Sequence, residues 1–141
     1  MAEADVIFNL PGLAQMILGV AAPILFLFYF RSRGGFATEG GALWTHFFIG
    51  MISTFLITAV SPLQPFVNAV EPIAVRLALD AFLTAAIPEE TIKLAVVLAF
   101  VWRHHACETP HDLLVMTVAV AAGFAALENV FYLGSEPNST Y

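Results

Sequence analysis

Long apolar runs separated by short polar breaks organise this chain, and the lengths of those runs predict its architecture. A helix needs roughly 20 apolar residues to cross a hydrocarbon core of about 30 Å. Residues 11–30 meet that requirement without a charge, and Arg31-Ser32-Arg33-Gly34-Gly35 ends the run with two basic anchors and a glycine connection. Residues 43–61 form the second run; Pro62, Pro65 and Pro72 then punctuate the connection, since proline removes amide donors and resists regular structure there. The third stretch, residues 73–102, contains Arg76, Asp80, Glu89, Glu90 and Lys93. At about 1.5 Å per residue it would reach roughly 45 Å as one helix, too long for a perpendicular span. Either it tilts and projects past the membrane, or Pro88 breaks it into two pieces at an angle. A polar turn over 103–111 leads into a fourth run, 112–133, and residues 134–141 form a polar tail. The pattern predicts an all-α, polytopic transmembrane helix bundle of about four membrane helices, with residues 1–141 as a single membrane domain.

Composition agrees with the run lengths. The chain is 60% apolar and 11% charged, against about 45–50% and about 25% in soluble domains. A net charge of −6 with 5 Lys and Arg offers no basic stripe, so no nucleic-acid partner is expected. Cys107 is the sole cysteine, which excludes an intramolecular disulfide. The first run follows Glu3 and Asp5 rather than a basic segment, so it reads as a retained helix and not a signal peptide. Arg31, Arg33 and Arg103 fall on one side, which is therefore expected to be cytoplasmic, with the N-terminus extracytoplasmic. Arg76 and Asp80, four apart, are expected to form a structural ion pair at the membrane rim. His104, His105, Cys107 and His111 match no standard zinc spacing, and Asn138-Ser139-Thr140 reads as a chance sequon.

Ionisable groups at membrane depth cost several kcal/mol and are functional candidates by default. Two clusters qualify: Pro88-Glu89-Glu90-Thr91-Ile92-Lys93, where Lys93 lies one turn from both glutamates, and Phe124-Ala125-Ala126-Leu127-Glu128-Asn129. Counted from the cytoplasmic ends, Glu89 and Glu90 lie roughly 18–20 Å deep and Glu128 roughly 24 Å deep, at about 1.5 Å per residue. A short loop makes the third and fourth helices antiparallel neighbours, so the three carboxylates are expected to share one cavity in the outer half of the membrane. Small residues at Ala119/Gly123 and Ala122/Ala126 allow the close helix approach that would draw them together. Three carboxylates in low dielectric cannot all ionise cheaply, so acid and base forms should coexist there. One ionised glutamate can then take a proton from attacking water, and Asn129 can donate to the developing oxyanion. Carboxylates paired with a lysine also suit a proton-coupled carrier, and a noncatalytic helper could retain the same fold.

Glu89-Glu90-x-x-Lys93 followed by Gly123-Phe124-Ala125-Ala126-Leu127-Glu128-Asn129-Val130-Phe131-Tyr132 resembles the PrsW family of intramembrane proteases, distant relatives of the CAAX prenyl proteases. The likeness is specific over residues 81–133 and general in the first two helices. It implies a bacterial cytoplasmic-membrane protease acting on a membrane-anchored protein such as an anti-sigma factor. The family's functional positions then fall on Glu89, Glu90, Lys93, Phe124, Glu128 and Asn129. In this superfamily both glutamate-activated water and a divalent metal such as zinc have been described, so the cofactor stays open. The resemblance also implies later helices bearing an essential histidine, and the chain is therefore expected to be the N-terminal part of a larger bundle. His46, near the cytoplasmic end of the second run and roughly 20 Å from the depth of Glu128, cannot take that histidine's place.

Overall fold

The computed structural model describes residues 10–33, 39–59 and 64–135; Glu3, Asp5, Gly34, Gly35, Pro62 and the sequon at 138–140 lie outside them. Among the described residues every regular element is helical. Helix α1 spans Leu10–Ser32 and α2 spans Gly40–Ser53, continuing after a turn at Thr54 as α3, Phe55–Ala59. A short α4, Gln64–Asn68, precedes α5, Ile73–Leu79, and α6, Ile87–Val96; α7 runs Pro110–Ser135. Three segments among the described residues are long and apolar enough to cross a membrane: Leu13–Ser32, Gly40–Ile57 and Pro110–Leu133.

The third stretch does not break at Pro88. A π-helical segment, Asp80–Ala86, joins α5 to α6, and a second, Val97–Val101, extends α6. Proline has no N–H, and its ring collides with the carbonyl four residues earlier in an α-helix. Widening the preceding turns removes that conflict: the Ile87 N–H reaches back five residues to the Phe82 carbonyl, and Pro88 occupies the first turn of α6. Glu89 and Glu90 follow at once, so the wide turns set the rotation of both carboxylates.

At the other end of this hairpin, Thr109 and Asp112 start α7 reciprocally. The Asp112 N–H donates to Thr109 Oγ1 at 3.1 Å, and the Thr109 N–H donates to Asp112 Oδ2 at 3.0 Å. With Pro110 opening the helix, this is a capping box.

Helix α7 packs between α1 and α2. Ala119, Ala122, Gly123 and Ala126 are buried, and the close approach they allow is to α2 and α1 rather than to the helix carrying Glu89. A Cβ on Gly50 would land on the Val120 carbonyl, and one on Gly123 on the Phe47 carbonyl. The two backbones therefore touch, as small residues permit in a bilayer. Helix α6 meets the other flank of α7 through Ile92 and Val96, packed with Met116, Val120 and Phe124. Phe26, Ile52, Phe82 and Leu98 are exposed, as lipid-facing residues would be.

On α1, Pro23 cannot bond to the Gly19 carbonyl, and that carbonyl instead accepts from Asn129 Nδ2 on α7 at 2.8 Å. A Cβ on Gly19 would sit 2.9 Å from Leu133 Cδ1. The proline thus frees an acceptor, the glycine lets α7 reach it, and the asparagine satisfies it.

The expected Arg76–Asp80 ion pair does not form. Asp80 Oδ1 accepts instead from Gln64 Nε2 at 2.9 Å and from the Thr84 hydroxyl at 2.6 Å. Two neutral donors close at hand, one brought by α4, occupy the carboxylate. Both ion pairs among the described residues belong to Lys93. His46 is buried, with Nδ1 2.7 Å from the Ala42 carbonyl and Nε2 3.2 Å from the Phe100 carbonyl. That ties it to the end of the third stretch away from Glu89, roughly 16 Å along the helix at about 1.5 Å per residue.

Candidate active site

Glu89 leaves the first turn of α6 and Glu128 leaves the second half of α7. Both line a cavity of about 350 Å³ whose walls include Thr54, Ile57, Thr84 and Phe131. Their carboxyl groups are close enough to interact across it. The arrangement sets two carboxyl groups side by side in a mostly apolar pocket.

Glu90 is one residue further on, which turns it about 100° around an α-helix. Its side chain is 73% exposed, against 18% for Glu89, and it does not line the cavity. Lys93 Nζ donates to Glu90 Oε1 at 2.8 Å, lies 4.0 Å from Glu89 Oε2, and stands 4.6 Å above the Phe124 ring. Phe124 is fully buried. Lys93 is thus fixed from both sides, by acids on its own helix and by an aromatic face on α7.

Asn129 points elsewhere. It borders a separate groove of about 500 Å³ between α1 and α7, which Lys93 also borders, and its amide is committed to Gly19. Of the six candidate positions, the structure brings Glu89 and Glu128 into one cavity. It sets Lys93, Glu90 and Phe124 along the adjoining seam, and places Asn129 at the α1 contact.

Sequence reasoning did not single out Thr54 or Thr84. Thr84 carried a usable signal, since it lies on the same stretch shortly before Glu89. Thr54 carried only its hydroxyl within an apolar run.

A family model described as PrsW family intramembrane metalloprotease matches residues 38–141. The chain belongs to the PrsW family. The matched segment contains both the Glu89-Glu90-x-x-Lys93 string and the Phe124 to Asn129 string. A relative named Protease PrsW, from Geobacillus kaustophilus (strain HTA426), is 35% identical over 116 residues, covering 82% of this chain and 50% of that protein. The chain thus spans half the length of this PrsW relative. No solved structure matches.

The family description names a metalloprotease. A catalytic zinc takes three protein ligands plus water. Among the described residues no group of three or more His, Cys, Asp and Glu side chains is disposed to hold a metal ion. The cavity brings two carboxylates, and Glu90 is turned out toward Lys93. These residues do not by themselves fit a metal centre.

Proposed function

We propose that this chain carries the paired carboxylates of an intramembrane endopeptidase, hydrolysing a peptide bond in a membrane-anchored protein of which an anti-sigma factor is an example. The observation that carries the reading is the meeting of Glu89 and Glu128, from two helices, in one cavity on apolar segments. Buried acids are expensive in a bilayer and are retained where they have a task. Family membership supports the same reaction class.

In the proposed chemistry the unprotonated carboxylate of the pair takes a proton from water as the water oxygen adds to the peptide carbonyl carbon. The carbonyl electron pair moves onto its oxygen. The oxygen's pair then re-forms the carbonyl as the C–N bond breaks and the protonated partner delivers a proton to the departing nitrogen, leaving a carboxylic acid and an amine. Lys93 pairs with Glu90 at 2.8 Å and stands 4.0 Å from Glu89 without lining the cavity. On this reading the protein sits in the bacterial cytoplasmic membrane with its N-terminus outside and the carboxylates in the outer half, an orientation that the basic residues at the ends of the first and third helical stretches support.

The test is cleavage of a single-span, epitope-tagged reporter in proteoliposomes. The unaltered protein should cleave it, and Glu89→Gln and Glu128→Gln should each lower the rate by about 10²-fold or more. Undiminished cleavage by both variants would remove the assignment. Proton-coupled uptake abolished by the same changes would assign the pair to transport.

A further inference from the structure

We propose that Thr54 is a substrate-contacting residue whose hydroxyl donates to the carbonyl oxygen of the peptide bond held in the Glu89–Glu128 cavity. The proposal rests on the hydrolytic reading above and adds the donor that the reading lacks. Addition of water places negative charge on the carbonyl oxygen, and a hydrogen-bond donor fixed in advance stabilises that charge more than it stabilises the substrate. Asn129, the amide nearest in sequence to Glu128, is committed to the Gly19 carbonyl at 2.8 Å and borders another groove.

Thr54 has the burial, the position and the free capacity. It is 6% exposed and lines the same cavity as both carboxylates. It stands at the turn between α2 and α3, facing α7 at Phe124, one helical turn before Glu128. Its hydroxyl has two acceptors in reach, the Gly50 carbonyl at 3.5 Å and the Phe124 carbonyl at 3.4 Å. Both exceed the roughly 2.5–3.0 Å of a full O–H···O bond. The Gly50 carbonyl is moreover taken by the neighbouring Ser53 hydroxyl at 2.7 Å. Thr84, the other threonine on the cavity wall, holds its proton on Asp80 at 2.6 Å. A buried hydroxyl that makes only long contacts to occupied acceptors, beside two acids, is a donor waiting for a partner.

The experiment uses the full chain in proteoliposomes with the same single-span reporter. Thr54→Val keeps the shape and removes the hydroxyl; Thr54→Ser keeps the hydroxyl; Thr54→Ala is a second deletion with less bulk. Thr54→Val and Thr54→Ala should lower kcat by about 100-fold with KM nearly unchanged, while Thr54→Ser should stay within about threefold of the parent. Circular dichroism identifies a deletion variant that has lost the fold, and the prediction is then read from the other deletion and the serine. Full activity in a folded deletion, or a serine variant as slow as valine, would overturn the role of Thr54. Glu128→Gln separates the two claims: if it cleaves normally, or if the unaltered protein cleaves nothing, the hydrolytic reading falls and Thr54 with it. If Glu128→Gln is inactive and Thr54→Val is not, only the threonine is wrong.

Discussion

The two flanks of α7 are built on opposite terms. Toward α2 the helix is sealed, Gly123 and Gly50 bringing backbones into contact, and toward α1 Asn129 clasps the carbonyl that Pro23 releases at the border of a groove. Toward α6 the contact is a short apolar seam that opens into a cavity holding Glu89 and Glu128. The sealed flank gives Glu128 a rigid base, while the open flank leaves a cavity of about 350 Å³ lined by the two acids. The small-residue stripe thus serves the site indirectly, by fixing one of its two walls.

The sharpest way to break this contrast is to exchange the two adjacent glutamates. Glu89→Gln should lower kcat for the reporter by about 10²–10⁴-fold, whereas Glu90→Gln, which loses only an exposed pairing with Lys93, should cost less than about tenfold. Equal losses would show that both acids work in the cavity. Next in size is the sealed flank itself. Gly123→Ala drives a Cβ into the Phe47 carbonyl and should destabilise the fold by about 1–3 kcal/mol, measured by unfolding in mixed micelles. Ala125→Leu, at the open groove, should cost less.

These two expectations also mark what could be read from the residues alone. The apolar runs, the helical class and the two acidic strings were legible because run length and buried charge are local properties. Which glutamate faces Glu128 was not, because a π-helical segment before Pro88 shifts the rotation of everything after it. The stripe at Ala119, Ala122, Gly123 and Ala126 announced a close helix contact without naming the partner, since α2 supplies Gly50 and α6 supplies no glycine. Asn129 looked like an oxyanion donor beside Glu128. Its partner depends on Gly19 and Pro23 in a helix far away in sequence, although a proline four residues after a glycine does announce a free carbonyl.

That clasp gives a smaller, cleaner test. Asn129→Leu should cost about 0.6–1.7 kcal/mol of stability by orphaning the Gly19 carbonyl. Pro23→Ala restores an N–H to that carbonyl, so the double variant should recover most of the loss in a double-mutant cycle. Additive losses would mean that the proline and the asparagine act independently.

The smallest effect is expected in the loop joining the third stretch to α7. Burial, then the neighbouring His46 and His105, hold the His104 imidazole below the ordinary histidine value, with Glu39 opposing them. The folded state therefore binds a proton there less readily than the unfolded chain, and stability should decline as pH falls through about 6.5 and below. His104→Asn should flatten that acid limb of the unfolding profile. An unchanged limb would place the titration elsewhere.

The central claim is that Glu89, and not Glu90, meets Glu128 across the cavity. It can be tested without activity by pairing cysteines in membranes, in a Cys107→Ser background, with a short thiol-specific linker. Glu89→Cys with Glu128→Cys should join rapidly and Glu90→Cys with Glu128→Cys slowly. The reverse order, or no linkage in either pair, would contradict the account.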